Sequence, residues 1–236
     1  DFNRIQIRNN NSSIVLENGT NNRWRVISPL PPKRADSVRI RQLIDYWKKW
    51  KVVDFPQSTQ DTSLDDMGLG KPELELSFSK GTNQLLSLQF GGAPANLTNA
   101  VFARLPISGD ILVAEATPIQ TLRWNYWDFC DRRMIDPLAE SQFDIIEVRG
   151  PENFRLRRGT NMIWRAENAQ QTAMDPALML HFLDNLMGIE AVELEKEVVT
   201  DYAEYALVKP LHSYHLYRSA TNSAGKATNI MVAGID

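Results

Sequence analysis

The sequence predicts an α+β fold built from two tandem repeats, each an antiparallel sheet with a helix. Three observations carry that prediction. Short runs alternate apolar and polar residues between turn signals, as half-buried strands do: Ile5 and Ile7, Ile14 and Leu16, then Leu74, Leu76 and Phe78. These runs follow one another as hairpins with few helical stretches between them, which argues α+β over a parallel α/β sheet. Finally, the chain matches itself. FNRIQI at residues 2–7 matches FDIIEV at 143–148, an offset of 141 positions. IVLENGTNNRW at 14–24 matches FRLRRGTNMIW at 154–164, offset 140, and TSLDDMGLGKP at 62–72 matches TDYAEYALVKP at 200–210, offset 138. A collinear series with so small a drift reads as a duplication with minor loop changes.

On this reading the first repeat is 1–141 and the second 142–236, incomplete at its C-terminus. Each opens with two alternating strands, Ile5/Ile7 then Ile14/Leu16, and Ile146/Val148 then Phe154/Leu156. Glu17-Asn18-Gly19-Thr20 and Arg158-Gly159-Thr160-Asn161 are the hairpin turns, with Gly or Asn expected at positive φ. A third strand carries Trp24 or Trp164, both expected in the core. A helix follows, capped by Asp36 or Asp175, the second with Pro176 at its start and Gly188 at its end. The inward residues are read as Val38, Leu43, Ile44 and Trp47 in the first helix, and Leu180, Leu183, Leu186 and Met187 in the second. Strands are expected at 52–55 and 191–194 after the helices, and alternation returns in Leu211, Tyr214 and Leu216. The first repeat continues through strands at 86–90, 100–103 and 111–113 to a helix opened by Thr117-Pro118, with Ile119, Leu122 and Tyr126 on one face. The second stops at a strand around 230–232. Its missing elements predict a chain that continues for about 45 residues, and an open strand edge through which it self-associates.

Composition excludes several classes. Hydrophobic residues are 43% and charged residues 23% of the 236, an ordinary globular balance. A net charge of -3 argues against a nucleic-acid binder. One cysteine, Cys130, excludes an intramolecular disulfide and a multi-cysteine zinc site. No run is long and apolar enough to span a bilayer. The chain opens at Asp1, directly in a strand-like run, so an upstream targeting or anchoring segment is expected to have been removed.

The order of these motifs resembles a known family. A strand ends in Gly-Thr-x-x-x-Trp, an Asp-led helix follows, and then Gly68-Leu69-Gly70-Lys71-Pro72. Next come a Leu-x-Leu-x-Phe-Gly strand at 86–91, Val-Phe-Ala-Arg at 101–104, and Asp128-Phe129-Cys130-Asp131-Arg132-Arg133-Met134-Ile135. This is similar to the bacterial domain of unknown function 4340. The second repeat departs from it, with Tyr205-Ala206-Leu207 where Gly-Leu is usual. The resemblance implies an N-terminal membrane helix absent from this chain and a large part on the extracytoplasmic, periplasmic face of the inner membrane. It also implies a protein partner: a subunit of an ABC transporter of the gliding-motility type, or another envelope protein. It carries over no catalytic residues and no cofactor.

The residues themselves point to no reaction. Gly68-Leu69-Gly70-Lys71-Pro72 lacks the spacing and the following Ser/Thr of a phosphate loop. His212 and His215 are three apart in a strand and so face oppositely, and His181 sits among apolar helix residues. Cys130 has acidic neighbours and no nearby histidine to activate it. Asp65-Asp66 and Glu193/Glu195 read as solvated carboxylates, not a pair facing across a cleft. Sequons at Asn11, Asn18 and Asn96 are not read as glycosylated, given the bacterial resemblance. The features that stand out are aromatic: Trp124, Tyr126 and Trp127 as an interaction surface, and Trp47 and Trp50, near Lys48, Lys49 and Lys51, as a second docking edge. The expected function is a non-enzymatic interaction or scaffold module. The alternative is a polysaccharide- or ligand-binding module that uses an exposed aromatic patch.

Overall fold

The computed structural model describes residues 1–10, 12–56, 63–137, 142–167, 170–196, 198–221 and 226–235. The expected ends of the repeat match at Thr62, the sequon at Asn11 and the expected boundary at 141/142 touch residues outside those described. The chain is α+β and divides into two compact units, 1–131 and 132–236. The division falls ten residues before the expected one because residues 132–135 belong with the second unit. Ala191 donates to the Arg132 carbonyl, Met134 donates to the Ile189 carbonyl, and Ile135 is buried in the second core.

In the first unit, β1 (Arg4–Asn9), β2 (Ser12–Asn18), β3 (Trp24–Ser28) and β4 (Lys33–Arg34) precede helix α1 (Ser37–Lys48). Then come β5 (Val52–Asp54), β6 (Leu74–Lys80), β7 (Asn83–Phe90), β8 (Ala100–Arg104) and β9 (Ile111–Glu115). The sheet order is β4-β3-β2-β1-β6-β7-β8-β9-β5, antiparallel at each pairing. Alternation places Ile5, Ile7, Leu16, Leu76 and Leu88 on the buried face, where α1 packs Ile40, Leu43 and Trp47.

In the second unit, β10 (Ile145–Arg149), β11 (Phe154–Arg158) and β12 (Trp164–Ala166) precede α2 (Pro176–Met187), β13 (Ser213–Thr221) and β14 (Ala227–Ile235). The order is β12-β11-β10-β13-β14, antiparallel throughout. Its core gathers Phe143, Ile146, Val148, Leu156, Trp164, Met179, Leu186 and Leu216.

The units use the same local chemistry. Asp36 Oδ1 accepts from the amides of Val38 and Arg39, and Asp175 Oδ1 from those of Ala177 and Leu178. The amides of Ala35 and Met174 donate to the carbonyls of Trp24 and Trp164. In the first turn Gly19 donates to Arg23 and Asn22 to Gly19; in the second Gly159 donates to Ile163 and Met162 to Gly159. Asn21 and Asn161 close the two turns by accepting from Arg23 N and Ile163 N. The positive φ falls on Asn22 and Met162, not on the glycines. The glycines leave room for the Asn side chains: a Cβ would sit 3.2 Å from Asn21 Oδ1 on Gly19 and 3.0 Å from Asn161 Oδ1 on Gly159, tight contacts that the amide would have to relieve.

Several expectations need correction. Val38 is 60% exposed while Ile40 is buried, and Leu180 is 60% exposed while Met179 is buried; the other expected inward residues, Leu43, Ile44 and Trp47 in α1 and Leu183, Leu186 and Met187 in α2, do pack against the cores. Residues 191–194 form no strand, and Val192 is 90% exposed. β5, which follows α1 as these residues follow α2, pairs with β9; among the described residues the second unit's sheet ends at β14 and offers no such partner. Leu211 is exposed and lies before β13. The expected helix after Thr117 is two 3-10 segments, Thr117–Arg123 and Tyr126–Phe129, and the Thr117 side chain does not cap the first. Asn125 restarts the chain: its side chain accepts from Asp128 N while the Asp128 carboxylate accepts from Asn125 N, a reciprocal cap. Finally, register aligns 86–88 with 233–235, not 230–232. Leu86 opposes Phe78 and Leu88 opposes Leu76, as Ala233 opposes Leu216 and Ile235 opposes Tyr214.

Candidate functional site

The C-terminal end of α1 places Trp47 under the sheet and Trp50 just beyond. The Trp47 indole donates to Thr121 Oγ1 at 3.2 Å, and that hydroxyl donates to the Pro118 carbonyl at 2.6 Å. The Trp50 indole donates to the Glu115 carbonyl at 2.9 Å. The two rings lie 5.3 Å apart and both meet Phe90, at 5.5 and 5.9 Å. Every polar atom of the pair is satisfied, so their remaining surface is apolar.

That surface lines a groove of about 430 Å³ together with Ile44, Val52, Leu85, Leu86 and Leu105. The lining is almost wholly apolar. Among the described residues Lys48 is the only charged one along it, and its side chain is 69% exposed with a distant partner in Asp45 at 3.9 Å. Concave apolar surfaces of this size are where ligands and partner side chains bind.

The groove depends on an irregularity. Phe78 opposes Leu86, but Ser79 opposes Gln84, so Leu85 is an extra residue in β7. A bulge of this kind breaks strict alternation and can turn two successive side chains toward one region. Leu85 and Leu86 both reach the groove.

The other aromatic cluster is placed differently. Trp124, Tyr126 and Trp127 are half-buried and pack against the first core. Trp124 lies 5.6 Å from the Phe129 ring, and the Arg39 guanidinium covers it at 4.7 Å from the ring centre. Lys33 sits over Tyr126 at 5.4 Å. The three rings pack over the core, two of them with a cation against the face, and Trp124 also borders a polar depression with Arg123 and Asn125. Of the five expected surface residues, Trp47 and Trp50 come together at the groove, and the other three do not join them there. Trp47 is itself buried, touching the groove with part of its ring.

The remaining candidates are structural. Cys130 is buried, and its thiol donates to the Tyr126 carbonyl at 3.4 Å. Gly68 has φ +68, and a Cβ there would lie 2.9 Å from Gly92 N; one on Gly91 would lie 2.1 Å from the Met67 carbonyl. The Gly68-Leu69-Gly70 turn is therefore packed against backbone, with Leu69 fully buried. His181 is exposed on α2, His212 lies before β13 against Tyr214, and His215 is within β13. Asp66 accepts from the Ser63 hydroxyl and amide, which hold its carboxyl below the usual carboxylate range. Glu193 and Glu195 are exposed. The second unit holds a polar depression where Glu147 pairs with Arg149 at 2.6 Å and Glu167 with Arg155 at 2.8 Å, its charges mutually compensated. Among the described residues, no group of three or more His, Cys, Asp or Glu is placed to hold a metal ion. No helix among them is long and apolar enough to cross a membrane.

The model of the domain of unknown function DUF4340 matches residues 24–210. The chain belongs to the DUF4340 family. The DUF4340 match begins at Trp24, the first residue of β3, and runs to Pro210, so it spans the greater part of both units. It includes every groove-lining residue except Phe2. Searches of curated proteins and of solved structures gave no match.

Sequence reasoning found Trp47 and Trp50 but missed the leucine wall. The signal was present: Leu85-Leu86 places two adjacent large apolar residues in an otherwise alternating strand, which marks a bulge or a second apolar face.

Proposed function

We propose that this DUF4340 chain is a non-enzymatic protein-interaction module on the periplasmic face of the bacterial inner membrane, accessory to an ABC-type transporter or envelope assembly. The observation that carries the interaction reading is the apolar groove between Trp47/Trp50 and Leu85/Leu86, a surface with side chains to grip a partner and a single cation along its lining. The cellular setting rests on the motif order that the family shares. The two units are, we infer, tandem repeats of one α+β unit. Their matching helix caps, turns and strand order support this, and the groove is then an elaboration of the first copy.

The test is co-purification. The full-length, membrane-anchored protein should bring down transporter subunits encoded beside it, and Leu85→Asp should abolish the association while leaving the fold intact. Association that survives both Leu85→Asp and Val52→Asp contradicts the groove's role.

A second reading concerns self-association. β14 is a nine-residue edge strand, ATNIMVAGI, with no charge or proline to block pairing. The first sheet's edges differ: β4 is the basic pair Lys33-Arg34 and β5 is three residues with a bulge. Light scattering of the protein and of an Ile230→Lys/Ala233→Lys variant tests it; a parent that is monomeric at all concentrations counts against it.

A further inference from the structure

We propose that the fork between β7 and β8 receives an extended polypeptide segment of alternating apolar residues, with an acidic residue near the end of α1, which adds to the sheet as a strand along β7. The inference rests on the protein-interaction reading and names the kind of segment the groove takes.

The first support is backbone pairing. β8 meets β7 only at Gln89 and Phe90, with the Gly91 amide donating to Phe102 just beyond. Residues 83–87 of β7 pair with β6 on one side and with no strand on the other, among the described residues. Alternate residues of such a stretch present backbone N–H and C=O groups outward, a ready template for another strand. NQLLS at 83–87 has no charge and no proline; the bulge at Leu85 interrupts its alternation, so an added strand pairs on either side of that residue.

The second support is the position of the groove. Leu85 and Leu86 belong to this open stretch and also line the groove, as do Trp47 and Trp50. Strand addition takes affinity from main-chain hydrogen bonds and specificity from pockets for every second side chain. An unpaired edge and an apolar groove side by side supply both. An acyl chain could fill the groove but would leave the backbone groups of 83–87 to water, so the pairing favours a polypeptide.

The third support is charge. Lys48 lines the groove, and Lys49 and Lys51 flank Trp50 in sequence; Asp45 lies 3.9 Å from Lys48, and Glu115 is joined to Trp50 and Lys51 through its backbone. A cationic rim favours an acidic residue on the incoming segment.

The experiment uses the 236-residue chain and a panel of synthetic heptapeptides of the form acetyl-Asp-Leu-Thr-Leu-Ser-Val-Thr-amide, with Leu and Val varied among Leu, Ile, Val and Phe. Sodium dodecanoate serves as the acyl-chain probe. Tryptophan emission reads occupancy of the groove, and amide hydrogen exchange reads pairing at 83–87. The expected result is that at least one peptide shifts the emission and slows exchange at 83–87. Binding should weaken about tenfold or more with Leu85→Asp, or when alternate peptide nitrogens are methylated so that the strand cannot donate. The methylated peptide needs no protein variant, so the test does not depend on Leu85→Asp folding. Three results overturn the inference: no peptide binds up to millimolar concentration, a methylated peptide binds as well as its parent, or dodecanoate shifts the emission while the peptides leave 83–87 unprotected. Any of these, with transporter association still lost in Leu85→Asp, removes strand addition and leaves the interaction module standing.

Discussion

Leu85 and Val232 are the same kind of residue in the two units: each is the extra residue of a bulge in the strand that returns from a hairpin. Leu85 falls between Gln84, opposite Ser79, and Leu86, opposite Phe78. Val232 falls between Met231, opposite Tyr217, and Ala233, opposite Leu216. Their surroundings differ. Val232 packs against the second core, while Leu85 is 45% exposed at the groove. Stability and binding should therefore separate. Val232→Asp is expected to cost about 2 kcal/mol or more, since it brings a charge against an apolar core. Leu85→Asp is expected to cost less than about 1 kcal/mol, in the range of surface changes. Urea unfolding of both variants checks the contrast.

Trp164 is buried, with Phe143 at 6.1 Å and the Arg158 guanidinium 5.4 Å from its ring centre. Trp24 is half-buried, with Phe2 at 6.4 Å. Trp164→Ala is expected to lose about 3–5 kcal/mol, and Trp24→Ala less, because more of its ring already faces water. Thermal melting that ranks them the other way contradicts the burial argument.

The neighbouring glycines 91 and 92 are not equivalent. A Cβ on Gly91 would meet the Met67 carbonyl at 2.1 Å, a contact with backbone that cannot be relieved by a side-chain turn. A Cβ on Gly92 would lie 3.7 Å from the same oxygen, an ordinary contact. Gly91→Ala is expected to destabilise by more than about 2 kcal/mol and Gly92→Ala by less than about 0.5 kcal/mol. Chemical denaturation of the pair reads this directly.

Asp66 should titrate low. Its carboxylate accepts the Ser63 hydroxyl at 2.8 Å and the Ser63 amide at 3.0 Å, and both favour the charged form. A carboxyl lowered in the folded state adds stability above its unfolded pKa and loses it as pH falls through the folded value. The carboxyl carbon of Asp66, followed by NMR, is expected to titrate below its midpoint in a Ser63→Ala variant.

Much of the fold was legible where local chemistry decides it. Asp36 and Asp175 announced their helices, and Gly-Thr-Asn announced both turns, because a cap or a tight turn is set by a few adjacent residues. The first position of each helix stripe was harder. α1 offers both Val38 and Ile40, and α2 both Met179 and Leu180, and which of each pair is buried depends on the sheet beneath. Residues 191–194 have strand composition but no partner strand, a fact of topology that no local pattern contains. The groove was half legible. Trp47 and Trp50 stood out by residue type, whereas Leu85 gained its place from a bulge, and Leu105 from a strand that parts from its neighbour.

The most direct test of the groove as the working surface is hydrogen exchange on the full-length protein, with and without the transporter subunits proposed as its partners. The account predicts slowed exchange in the presence of the subunits at residues 83–87, together with protection around Trp50 and Val52. Protection confined to α2 and β14, with 83–87 exchanging as in the free protein, would contradict it.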